Sequence, residues 1–153
     1  MEVIPFKQIR KQQKAQLPTP TTSFKGKTVL ITGVHGGFGA AAAQKIADHE
    51  VDTLILACRD IAKGEVVKKT IEEAIKTDSK PKILVWALDL ASFESIREFG
   101  KRAATLEGLD AVILNAAIFN PEKVMTPEGW EMSQCAQNLS LWDMMLRNLQ
   151  QSK

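Results

Sequence analysis

Apolar positions along this chain switch repeatedly between strand-like runs and helix-like spacing. Thr28-Val29-Leu30-Ile31-Thr32 is a continuous, β-branched run, the pattern of a strand buried on both faces. A small-residue helix is predicted to follow over Ala40–His49. Asp52–Ala57 reads as a second strand. Ala62–Lys76 reads as a charged amphipathic helix with Val66, Val67, Thr70, Ile71, Ala74 and Ile75 on its inner stripe. Lys82–Ala87 is a third strand, and Phe93–Leu106 a third helix with Ser92 as its cap. Ala111-Val112-Ile113-Leu114-Asn115 is a fourth strand, and Pro121 and Pro127 punctuate the loop after it. From about Glu128 to Leu149, Met132, Ala136, Leu139, Trp142, Met145 and Leu149 recur at three- and four-residue spacing, predicting a last amphipathic helix.

Strands alternating with helices in this way imply a parallel sheet with right-handed crossovers. The expected fold is α/β: a Rossmann-like three-layer αβα arrangement around an incomplete, doubly wound parallel sheet of about four strands. Residues 1–23 fall outside the pattern. They carry Leu17-Pro18-Thr19-Pro20-Thr21-Thr22 and no apolar periodicity, so they read as a flexible extension before one partial nucleotide-binding domain over 24–153.

Composition narrows the function classes. A chain of 153 residues suits one domain, and 44% hydrophobic with 25% charged content excludes a disordered polymer. The net charge of +2 comes from the tail, where Lys7, Arg10, Lys11 and Lys14 face Glu2 alone. The remaining body is slightly acidic, which leaves no electrostatic footprint for nucleic acid. Cys58 and Cys135 are far apart and make neither a disulfide framework nor a metal site, which suits a reducing cytoplasm. No apolar run approaches the roughly 18–20 residues that cross a membrane.

The candidate chemistry lies in the turn after the first strand, Thr32-Gly33-Val34-His35-Gly36-Gly37-Phe38-Gly39. Gly33 permits a tight turn, Gly37 lets backbone approach a diphosphate, and Gly39 lets helix and strand pack closely; Phe38 belongs to the same turn. The helix N-terminus then offers free N–H groups and a positive dipole end to the anion. At the end of the second strand an acid would favour NAD, whereas an arginine would accommodate the 2′-phosphate of NADP. Cys58 stands where the acid would be, Arg59 follows, and Lys63 lies one helical turn on, so the segment favours NADP. Asp60 reads as the cap of the next helix.

This glycine pattern, set between a strand and a helix, resembles that of the short-chain dehydrogenase/reductase family over about Gly26–Leu149. Ile55-Leu56-Ala57-Cys58-Arg59-Asp60 and Leu88-Asp89-Leu90-Ala91-Ser92-Phe93-Glu94-Ser95 look like the NADP-using reductases of fungal secondary metabolism, which act on small or lipophilic alcohols and carbonyls. The resemblance implies that Asp89 meets the adenine amino group, the other reading being a helix-entry cap. It implies that Asn115, in Asn115-Ala116-Ala117, holds the sheet and faces the cofactor. Ala117 replaces the family's glycine and should narrow backbone freedom at that bend.

The family's catalytic set is not matched. Its asparagine position falls on Gln137, within Gln134-Cys135-Ala136-Gln137, with Asn138 one place late. The serine and the Tyr-x-x-x-Lys pair lie beyond the matched stretch, and the chain contains no tyrosine at all. His35, in the turn, and His49, at a helix end, do not replace them. The resemblance thus implies a truncated NADP-dependent oxidoreductase, expected to be inactive alone. The alternative is a nucleotide-binding or partner-binding pseudoenzyme, or one half of a split enzyme. In the family's strand order the fourth strand is central. Here Val112-Ile113-Leu114 is expected at an edge, and that edge, with the last helix, is expected to self-associate or accept a complementary half.

Overall fold

The computed structural model describes residues 21–75, 80–118, 121–126 and 129–135. In chain order these form β1 (Thr28–Thr32), α1 (Gly37–Asp48), β2 (Thr53–Cys58), α2 (Ile61–Ala74), β3 (Lys82–Ala87), α3 (Phe93–Ala104), β4 (Ala111–Ile113) and the short α4 (Met132–Cys135). The strands make one parallel sheet in the order β3-β2-β1-β4. Ile31 pairs with Leu56 on one side and Ile113 on the other, and Leu56 pairs with Val85. The sheet order reverses between β1 and β4, so the chain changes faces there.

Period-two alternation sends neighbouring residues of each strand to opposite faces, and both faces are covered. Val29, Ile31, Leu54, Leu56 and Cys58 join Ala43, Ala47 and Ile71 in one buried cluster, beneath α1 and α2. Leu30, Ile55, Trp86 and Leu88 join Ile96 and Phe99 in a second, beneath α3. Trp86 closes that second layer. Its ring meets Phe99 edge-on at 5.7 Å, and the Arg102 guanidinium lies 4.2 Å from its centroid. The three-layer α/β reading is therefore the observed fold.

Several predicted boundaries shift. α1 begins at Gly37, three residues earlier than predicted, because the glycines enter the first helical turn themselves. β2 is displaced by one residue to Thr53–Cys58, and β4 stops at Ile113. The inner stripe of α2 is narrower than predicted. Val66 is 65% exposed, and Thr70 and Ala74 are exposed too, while the buried positions are Gly64 and Ile71, with Val67 and Ile75 packed against the first cluster. A step of one residue turns a helical side chain by about 100°, which carries Val66 and Thr70 off the stripe that Val67 and Ile71 occupy. Of the last predicted helix, Met132–Cys135 is helical. Residues 1–20 and 136–153 lie outside the described residues, and with them Gln137, Asn138 and most of the expected apolar stripe.

Candidate nucleotide site

β1 ends in Thr32, whose hydroxyl accepts the Ala116 backbone N–H at 3.0 Å. The Asn115 amide donates to Thr32 O and Gly33 O at 3.0 and 3.1 Å, tying the end of β4's strand segment across to the turn. Gly33 extends the β1–β2 ladder by donating to Ala57 O at 2.9 Å, then turns sharply with φ +73°. A Cβ here would stand 2.7 Å from Ala116 Cα, so both the conformation and the space require glycine. Gly39 is required by space alone. A Cβ on it would collide with Gly33 O and come within 2.6 Å of Asn115 Nδ2, the atom that ties the two strands together. Where the sequence predicts close helix–strand packing at Gly39, the structure places an amide clamp that only a glycine leaves room for.

α1 opens directly onto this turn, with no side-chain hydrogen bond at its N-cap, Gly36, and no acid in its first turn. The other two long helices among the described residues begin differently. Asp60 accepts the Lys63 N–H at the start of α2, and Ser92 accepts the Ser95 N–H at the start of α3. First-turn N–H groups have no partner within their own helix, so α1's remain available to an acceptor from outside. Nothing lies within 4 Å of a Cβ built on Gly36 or Gly37, so the approach is open.

A cavity of about 470 Å³ lies over these groups, at the carboxyl ends of the strands and at the point where the sheet order reverses. Gly33, Phe38, Gly39, Arg59, Lys63, Asp89 and Asn115 all line it; Gly37 does not, although Gly36 and Phe38 on either side do. Phe38 is 90% exposed, an apolar ring at the rim. Among the described residues Arg59 forms no ion pair, whereas the Lys63 ammonium sits 3.7 Å from Asp60 Oδ2. Arg59 is therefore the cation on this wall with no carboxylate holding it.

One sequence reading needs adjustment. Asp89 does not cap α3; Ser92 does, and Asp89 Oδ1 instead accepts the Ala91 N–H at 2.9 Å in a local turn before the helix. Ala117 lines the cavity without a positive φ, so the alanine costs no backbone strain there. Sequence reasoning passed over His35, Leu88, Leu90 and Ile118 as cavity residues. His35 carried a signal in its place within the glycine turn; Leu88 and Leu90 stood only within the stretch that carries the family resemblance, and Ile118 carried no signal.

Cys58 borders the cavity but points its bulk into the first cluster, at 2% exposure, with its thiol donating to Asp60 O at 3.2 Å. Burial pushes the thiol pKa up, and the carboxylates of Asp60 and Glu65 push it further. The position resists negative charge. Among the described residues no cluster of His, Cys, Asp and Glu could hold a metal, and no helix is long and apolar enough to cross a membrane.

Residues 27–143 match the sequence model of the family described as short chain dehydrogenase. A short-chain dehydrogenase/reductase of Aspergillus flavipes (ffsI) is 40% identical over 116 residues, which are 74% of this chain and 34% of that protein. One of Phaeosphaeria nodorum (phmF) is 39% identical over 115 residues, again 74% of this chain and 34% of the relative. The chain thus spans about a third of the length of the curated relatives it matches. Among solved structures, an uncharacterized protein from Mycobacterium paratuberculosis superposes with a TM-score of 0.68 at 29% identity, covering 83% of this chain and 44% of that one. A short-chain dehydrogenase from Sphingobium yanoikuyae, solved with NADPH, shares the fold with a TM-score of 0.67 at 22% identity, covering 82% of this chain and 49% of that one.

Proposed function

The chain belongs to the short-chain dehydrogenase family, and on that premise we propose that these residues form the dinucleotide-binding portion of an oxidoreductase that uses NADP. The observation that carries the reading is the cavity wall. Among the described residues, α1 is the one long helix without a side-chain cap, and it opens onto the same space that Arg59 borders. An uncapped first turn suits a diphosphate, and a guanidinium fork suits a 2′-phosphate with two parallel hydrogen bonds. Gly33, Gly36 and Gly39 would hold the diphosphate against backbone, Arg59 and Lys63 the 2′-phosphate, and Asp89 and Asn115 would border the adenosine and nicotinamide sides. The nicotinamide, when bound, supplies or accepts the hydride; this chain's residues bind and orient it.

Titration with 2′,5′-ADP and 5′-AMP tests the assignment. The 2′-phosphate should strengthen binding by about tenfold or more, given charge-assisted bonds to a guanidinium. Arg59→Ala should erase that preference, and Gly37→Asp, which sets a carboxylate at the phosphate turn, should weaken both ligands. Equal affinities in the wild-type protein would overturn the NADP assignment. The 153-residue polypeptide alone should not oxidise NADPH with carbonyl substrates, since it has no tyrosine to carry the family's proton transfer. Turnover by the folded protein, absent from the Gly37→Asp control, would refute that part.

A second reading, a partner-binding role, is favoured by one observation. Ala111, Val112 and Ile113 are each only half-buried, while the four residues from Val29 to Thr32 on neighbouring β1 are buried. Among the described residues β4 pairs on one side only, and an open apolar edge recruits a further strand. Self-association seen by light scattering, or stabilisation by a matching C-terminal half, supports this reading; a sharply melting monomer counts against it.

A further inference from the structure

We propose that Gly64, in the first turn of α2 and off the cavity lining, is a positioning residue for cofactor discrimination: it lets α2 sit low enough on β2 and β3 for Arg59 and Lys63 to border the 2′-phosphate side of the cavity. This rests on the NADP reading above. Glycine is a poor residue inside a helix, so its presence at a buried position asks for a reason. The reason is contact. A Cβ on Gly64 would stand 2.6 Å from Cys58 Sγ, at the end of β2, and 2.6 Å from Val85 Cγ1, within β3.

Neither atom can yield readily. Cys58 is 2% exposed and its thiol is held on Asp60 O. Val85 is β-branched, with little χ1 freedom in a strand. The Gly64 N–H donates to the same Asp60 carbonyl at 3.1 Å, so Cys58, Asp60 and Gly64 form one closed knot. Asp60 is the N-cap of α2, Arg59 immediately precedes it, and Lys63 immediately precedes Gly64. Any side chain at position 64 must lift this turn, and lifting it moves both cations on the cavity wall. The phosphate turn at Gly33–Gly39 belongs to β1 and α1 and stays where it is.

The split between the two nucleotides reads this directly. Gly64→Ala should lower the ratio of 2′,5′-ADP to 5′-AMP affinity by about fivefold, the loss of part of one charge-assisted contact, while 5′-AMP affinity holds within about twofold. In a Cys58→Ala, Val85→Ala background, where the obstructing atoms are gone, adding Gly64→Ala should leave that background's ratio unchanged. A merely structural glycine would instead weaken both nucleotides in step. Should Gly64→Ala fail to fold, it is added to a Val85→Ala background, which leaves only the Cys58 Sγ contact, and should lower the ratio relative to that background. If the wild type favours 2′,5′-ADP and neither variant lowers the ratio, the positioning role is wrong and the NADP reading stands. If the wild type shows no preference, the NADP reading fails and takes this inference with it.

Discussion

The two ends of the sheet answer the same problem in opposite ways. At the amino ends of the strands, backbone N–H groups that lack a ladder partner are met by carboxylates. Asp52 accepts the Gly26 N–H at 2.8 Å, and Asp110 accepts the Thr28 N–H at 2.8 Å while holding the Lys27 ammonium at 2.7 Å. At the carboxyl ends, α2 and α3 are capped by Asp60 and Ser92, yet the first turn of α1 receives no side chain. Glycines clear the space around it, and Arg59 stands across the cavity. One end is closed by the protein's own acids. The other leaves donors and a cation facing a hollow, which the proposed reading fills with the phosphates of a dinucleotide.

The sharpest way to break this contrast is to put an acid at the open end. Cys58→Asp would bury a carboxylate among Asp60, Glu65 and apolar side chains, an environment that already raises the thiol's pKa. The new carboxyl's pKa should rise above its unfolded value, so it stays protonated in the fold and disfavours folding increasingly as pH climbs. Keeping it neutral at pH 7 means about three pH units above the ordinary aspartate value. At about 1.4 kcal/mol per unit, the cost is capped near ~4 kcal/mol. The gap in thermal midpoint between wild type and variant should be wide at neutral pH and close as pH falls toward about 4. A variant melting with the wild type at pH 7 would show that position 58 tolerates charge.

Glycine clearance is the next element of the contrast. Gly39→Ala forces a Cβ against Gly33 O and the Asn115 amide, where backbone and a doubly bonded side chain cannot move aside. Overpacking of this kind costs about 3 kcal/mol, or roughly 6–12 °C in thermal midpoint for a domain of this size. Gly108→Ala, where a Cβ meets nothing within 4 Å, should stay within about 0.5 kcal/mol. Nucleotide affinity should fall for Gly39→Ala and hold for Gly108→Ala. Equal melting of the two variants would remove the special standing of the β1–α1 junction.

What the chain made legible follows the physics of each signal. β1 and β3 match their predicted bounds because short, largely apolar runs with β-branched residues, bounded by turn signals, have little else to become. The glycine turn was readable because each glycine answers a separate steric demand, and Gly33 and Gly39 meet theirs in the fold. α2 was harder. Val66 and Ala74 are apolar yet exposed, and Gly64 has no side chain to register in a hydrophobic pattern although it is buried. Contacts defined by an absent side chain appear only when the neighbours' positions are known. The same holds for Asn115, whose role at the sheet was expected, whereas its two carbonyl partners lie more than 80 residues away in sequence.

The smallest effect belongs to the closed end. The Lys27 side chain, hydrogen-bonded to Asp110, holds its carboxyl below the usual carboxylate range, and the Thr28 N–H adds to this. A carboxylate with a depressed folded pKa stabilises the fold above its unfolded value, near 3.8, and that contribution is lost as pH falls through the folded value. Asp110 is open to solvent, so screening keeps the effect small. Asp110→Asn retains an oxygen for the Thr28 N–H but cannot titrate or pair with Lys27. Thermal midpoints followed from about pH 7 to about pH 2.5 should show the wild type losing stability over the acid limb and the variant losing less. At neutral pH the preference for 2′,5′-ADP over 5′-AMP should be the same in both, because the carboxylate lies at the end of the sheet away from the cavity. Parallel acid limbs would mean that Asp110 does not close this end by its charge. A changed nucleotide preference would mean that the two ends are not independent, and the contrast between them would fail.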